Sequence, residues 1–98
     1  MSDRKAYEEL VESRLKAWEA DIKRLEADIQ RAHAESLLTK DGAAAKAREK
    51  LESLKATYSE LKKANQNAWS ELKTGIDNAM TDIKESLDSV KNAYRKDD

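Results

Sequence analysis

The apolar positions in the first third of the chain fall on one helical stripe. Val11, Leu15, Trp18, Ile22, Leu25, Ile29 and Ala32 follow one another at alternating steps of four and three, the heptad spacing of a helix that buries a narrow seam against a second helix. Tyr7 extends the stripe forward by one step, and Ser2 or Asp3 offers an oxygen to the first free backbone amides. The pattern predicts a helix over residues 3–38. In the same register, the next seam positions would be Ser36, Thr39, Ala43 and Lys46, which bury almost nothing apolar. Thr39, Lys40, Asp41 and Gly42 combine capping oxygens with a flexible residue, so a turn is predicted at 39–42, with Asp41 or Thr39 capping the helix that follows.

That second helix is predicted over residues 42–95. It opens with heptads at Ala47, Leu51, Leu54, Tyr58 and Leu61, then changes to an eleven-residue repeat over 57–67, 68–78 and 79–89. Each block has a large apolar residue second, Ser or Thr third, an acid fourth, Leu or Ile fifth, Lys sixth and a small residue eighth. Eleven residues over three turns is close to the natural period of the helix, so the segment should run nearly straight. Gly75 occupies the small position of its block and reads as part of a continuous helix, in preference to a break with Asp77 capping a third one.

The expected fold is therefore all-α: one domain over residues 1–98, an antiparallel coiled-coil hairpin whose second helix is the longer. A turn near residue 41 would pair Ile29 with Leu54, Ile22 with Leu61, Trp18 with Asn65, Leu15 with Ala68 and Val11 with Leu72. Val11, Leu15, Trp18, Ile22, Leu25, Ile29, Leu51, Leu54, Tyr58, Leu61, Asn65 and Leu72 would form the intrachain seam. The first helix is then used up, and residues past 77 would project by roughly 27 Å at 1.5 Å per residue. Their stripe continues through Ile76, Met80, Ile83, Leu87, Val90 and Tyr94, each large apolar group gaining about 1.5–3 kcal/mol on burial. These six residues are the expected oligomer or partner interface, to be covered by a second copy, another protein's helix, a membrane surface, or a fold-back at Gly75 into a three-helix bundle.

Composition narrows the reading. Charged residues make up 40% of the chain against 39% hydrophobic, with two glycines and no proline or phenylalanine, so long amphipathic helices are favoured over a thick core or a sheet. The net charge of −1 is spread through intermixed signs, which excludes the basic field that attracts nucleic acid. With no cysteine, disulfides and thiolate chemistry are excluded. The chain begins on charged helix with no apolar run, so a cytoplasmic location is expected.

Candidate chemistry is sparse. His33 is the one histidine, and Gln30 stands where a Glu-x-x-His metal motif needs glutamate. Glu8, Glu9, Glu12, Asp21 and Asp28 each have Lys or Arg at helical spacing and read as an ion-paired face. Trp18 and Trp69 read as packing. Asn65 is read in two ways: a buried asparagine that fixes register and partner number, or part of a solvated stretch with Gln66 and Asn67. No phosphate loop or nucleophile–base set is present, so no enzyme, no cofactor and no metal are expected.

The blocks at 68–76 and 79–87, with Tyr7, Trp18 and the Asp-Ile-Lys-Arg-Leu run at 21–25, resemble a family of short bacterial coiled-coil proteins known as stress-response proteins. More distantly, the eleven-residue repeat is similar to those of apolipoproteins and late-embryogenesis proteins. The first resemblance implies a helical protein with a stress-associated role and no catalytic residues. The function expected is a structural or interaction protein that self-associates through coiled-coil seams. The alternative is reversible adsorption of the second helix to a membrane or lipid surface. Expected partners are a second copy of the chain, as a dimer, then another helical protein; a membrane surface ranks behind them, and nucleic acid is not expected.

Overall fold

The computed structural model describes the backbone of residues 2–95 and the side chains of residues 3–93. It is all-helical: α1 (Ser2–Arg31), α2 (Ala43–Lys63) and α3 (Gln66–Arg95), with one turn of 3₁₀ helix at Glu35–Leu38 between the first two. The three helices pack side by side in a body of 49 × 21 × 16 Å. α2 runs antiparallel to α1, which brings Arg48 beside Glu26 and Arg4 beside Ala64. α3 turns back along α2, with Lys50 bonded to Ser86, so α3 lies parallel to α1 and Trp69 meets Glu8.

The expected two-helix hairpin is thus corrected to three packed helices. α1 stops at Arg31, short of residue 38, because the chain closes on itself there. The Ala34 amide donates to the Ile29 carbonyl at 3.0 Å and the His33 amide to that of Gln30 at 3.2 Å, the paired bonds of a Schellman stop. His33 takes φ 57° to make them. The 3₁₀ turn then uses up much of the connection, and Gly42 stands at the head of α2 without a side-chain cap. Neither Asp41 nor Thr39 caps that helix; the Thr39 hydroxyl instead donates back to the Ser36 carbonyl at 2.8 Å. A Cβ on Gly42 would lie 2.3 Å from the Leu37 carbonyl oxygen, so close backbone approach is what requires glycine here.

A longer connection changes the register. Leu61, expected opposite Ile22, ends beside Arg4, and Tyr58 reaches Glu8 and Glu12 near the start of α1.

The expected second helix is broken, but at Ala64 and Asn65 instead of Gly75. Ala64 takes an extended ψ of 149°, and Asn65 caps α3, its Oδ1 accepting from the Ala68 amide at 2.9 Å. Gly75 lies inside α3, with nothing within 4 Å of where its Cβ would stand.

The fold-back covers the stripe expected to await a partner. The core runs through Val11, Leu15, Trp18, Ile22, Leu25 and Ile29 of α1, Ala44, Ala47, Leu51, Leu54, Tyr58 and Leu61 of α2, and Trp69, Ile76, Ile83, Leu87 and Val90 of α3. Three helices suffice because each is apolar on one face only.

Candidate functional site

Where the head of α1 meets the link between α2 and α3, polar and aromatic groups form one connected cluster. Arg4 reaches across the end of α2 and donates to the Ala64 carbonyl at 2.8 Å, an acceptor of the kind a helix end leaves open, and to that of Leu61 at 3.3 Å, which also accepts from the Ala64 amide at 3.2 Å. Its Nε donates to Glu8 Oε2 at 3.1 Å, and its guanidinium stands 5.5 Å from the centre of the Trp69 ring. The indole N–H of Trp69 donates to the same Glu8 oxygen at 2.9 Å. Tyr7 meets Trp69 edge-on at 5.5 Å between ring centres, and its hydroxyl donates to Asp77 Oδ1 at 2.6 Å. All three helices or their ends are tied together here.

The electrostatics follow from this geometry. Burial, reinforced by the Asp77 carboxylate, pushes the Tyr7 hydroxyl well above the usual tyrosine range. Tyr58, buried and facing Glu12, is pushed up to about 12. The Tyr7 hydroxyl and then Lys73 hold Asp77 below the usual carboxylate range. Raised tyrosines and a lowered acid describe closed, mutually satisfied bonds. By its bonds the cluster ties the three helices together as a clasp.

A second network joins α1 to α2. Arg48 lies 3.0 Å from Glu19, 3.1 Å from Glu26 and 3.4 Å from Glu52, and Lys55 pairs with Glu19 as well. Lys55, then Arg48, holds the Glu19 carboxyl below its usual range. These carboxylates serve helix pairing. Among the described residues, no three His, Cys, Asp or Glu side chains gather as metal ligands, and no helix is long and apolar enough to cross a membrane.

No family model matches the chain, and the comparisons with curated proteins and with solved structures found no match.

Of the residues expected in the intrachain seam, Val11, Leu15, Trp18, Ile22, Leu25, Ile29, Leu51, Leu54, Tyr58 and Leu61 are buried together in the core. Leu72 is half-buried against that core. Asn65 is exposed at the link, so it neither faces Trp18 nor sits in a seam. Of the expected partner interface, Ile76, Ile83, Leu87 and Val90 are buried within the chain itself, and Met80 packs half-buried against them. The expectation for the Tyr94 side chain lies outside the described residues. Arg4, Glu8 and Asp77 were missed as a group. Each reads locally as a helix-surface charge, and only the fold-back brings them within reach of Trp69 and Tyr7. Trp69, read as packing, is buried in the core at 6% exposure.

What α1 and α2 build is a trough filled by the chain's own α3. α1 and α2, locked by the Arg48 network, present a trough into which the whole apolar face of α3 fits, from Trp69 through Ile76 and Ile83 to Val90. One layer shows the fit: Leu87 and Val90 enter among Ile22, Leu25, Ala44 and Ala47 with no space for a water molecule between them. The link that delivers α3 is two residues long. On the outer side, α2 and α3 leave a shallow groove of about 480 Å³ over Ser53, Thr57, Gly75 and Ala79, rimmed by Lys46, Lys50 and Asp82.

Proposed function

We propose that this chain is a non-enzymatic interaction protein that recognises amphipathic helices and associates first with its own copies, in the stress-associated role implied by the resemblance of its repeats. The observation carrying this reading is the α1–α2 trough, which takes the stripe of a 30-residue helix from Trp69 to Val90 and holds it by a clasp at one end. A trough shaped for α3 is equally shaped for the α3 of another copy. The intermixed charges pair between helices instead of converging on a cavity, which supports binding over catalysis.

Molar mass by light scattering across a wide concentration range tests this. The expected result is a reversible dimer that grows with concentration, and a monomer up to millimolar chain would overturn the reading. Lipid adsorption would require α3 to leave the trough and expose Trp69. Anionic vesicles should therefore leave Trp69 emission unchanged, whereas a blue shift with a gain in helicity would favour the lipid reading over helix recognition.

A further inference from the structure

We infer that α3 exchanges between two copies of the chain, the link at Ala64 and Asn65 straightening so that α2 and α3 become one long helix and each α3 occupies the partner's trough. The inference rests on the self-association reading and adds the mode of association and the residues that control it.

The hydrogen bonds at the link carry the argument. In the closed chain, Arg4 satisfies the carbonyl of Ala64, the carbonyl of Leu61 accepts from both Arg4 and the Ala64 amide, and Asn65 Oδ1 satisfies the amide of Ala68. In a continuous helix, the Leu61 carbonyl would accept from the Asn65 amide, and the Ala64 carbonyl from that same Ala68 amide, by the ordinary four-residue spacing. The Leu61 and Ala64 carbonyls and the Ala68 amide therefore each have an intrahelical partner in the straight form, so straightening leaves none of these backbone groups unsatisfied and releases only the Arg4 and Asn65 side chains to solvent. Ala64 already has φ −78°, near the helical value, and departs from it chiefly in ψ at 149°. Neither link residue is Gly or Pro, and the eleven-residue repeat passes through the link without losing its frame. Local sequence thus permits a straight helix, while tertiary contact favours the fold-back.

Straightening carries α3 away from its own trough by its whole length, about 45 Å at 1.5 Å per residue. Its apolar face then needs cover of the shape it has lost. A second copy opened in the same way offers that cover and needs the same in return, so two copies close on a two-fold axis with no apolar face left over. The bonds of Trp69 to Glu8, Tyr7 to Asp77 and Lys50 to Ser86 re-form between chains. A link too short to bend freely favours such exchange.

Two substitutions push the link in opposite directions. Gln66→Pro places proline at the first position of α3, where its fixed φ suits the closed form, but where it breaks a continuous helix. Asn65→Ala removes the cap that only the closed form uses. Expected for Asn65→Ala is a rise of about thirtyfold in the dimerisation constant, one lost cap counting at each of two links. Gln66→Pro should remain monomeric at concentrations where the parent chain dimerises.

The position of α3 is read separately. Because the chain has no cysteine, Lys50→Cys with Ser86→Cys, joined by a short bismaleimide, reports whether α3 lies on its own α2. Dimer fractions of the parent chain and of Asn65→Ala should yield cross-links between chains, and Gln66→Pro only cross-links within one. A dimer that persists in Gln66→Pro, or whose cross-links stay within each chain, overturns the exchange and leaves self-association standing. Monomer in all three proteins at every concentration overturns both. If Gln66→Pro does not fold, Asn65→Ala still decides, since no rise in its dimer fraction overturns the exchange.

Discussion

His33 holds a backbone φ of 57°, a conformation that costs a side chain with a Cβ and costs glycine little. It is held there by the two Schellman bonds that stop α1, and its ring is solvent-exposed with only a 3.9 Å contact to Glu35, so little is lost by removing it. His33→Gly is expected to raise stability by about 0.5–1 kcal/mol, the relieved strain being partly offset by the greater freedom of glycine in the unfolded chain. Thermal unfolding followed by circular dichroism would show a melting temperature higher by about 2–8 °C, and a lower one would mean that the ring does more than endure the turn. Asn65 carries a related lesson. The run of Asn65, Gln66 and Asn67 was legible as a weak stretch in the stripe, but capping and seam burial both use asparagine. Only the direction of the chain after residue 64 decides between them.

Among the elements, α3 separates the expected arrangement from the observed one most clearly. In a two-helix hairpin, Ile83 would lie on the overhang, and shortening it would change the state of association while sparing the monomer. In the three-helix arrangement Ile83 is 0% exposed, and Ile83→Ala should cost about 2–5 kcal/mol through lost burial and the cavity left behind. Asn78→Ala, on the exposed side of the same helix, should stay within about 0.5 kcal/mol. Urea unfolding of the two variants, at a concentration where the chain is monomeric, compares them directly, and equal midpoints would restore the overhang. The stripe itself was readable because burial of one face repeats with the helix period. Which surface covers it was not, because a partner's helix and the chain's own helix impose the same pattern.

On the scale of the whole molecule, the clasp and the Arg48 network set how stability depends on pH. Tyr7 and Tyr58 have folded values raised above the ordinary 10.0, Tyr58 to about 12. What their neutral hydroxyls contribute is therefore fully present below pH 10 and lost as the pH rises through the folded values. Asp77 and Glu19 are lowered from 3.8 and 4.5; their contribution is present above those values and lost as the pH falls toward the folded ones. Urea midpoints should accordingly be flat between about pH 5 and 9 and fall on both sides, and a midpoint unchanged to pH 11 would remove the two tyrosines from the clasp. The amino-acid sequence by itself determined that the chain is helical and which residues form the apolar face of each helix, because these follow from local period and residue chemistry. The tertiary structure alone decided the number of helices, the register of α1 on α2 and the gathering of Arg4, Tyr7, Glu8, Trp69 and Asp77. The register follows from the longer connection after α1, and the other two depend on a link whose two residues are compatible with helix or turn, so contacts between groups far apart in the chain, and not local preference, select that turn.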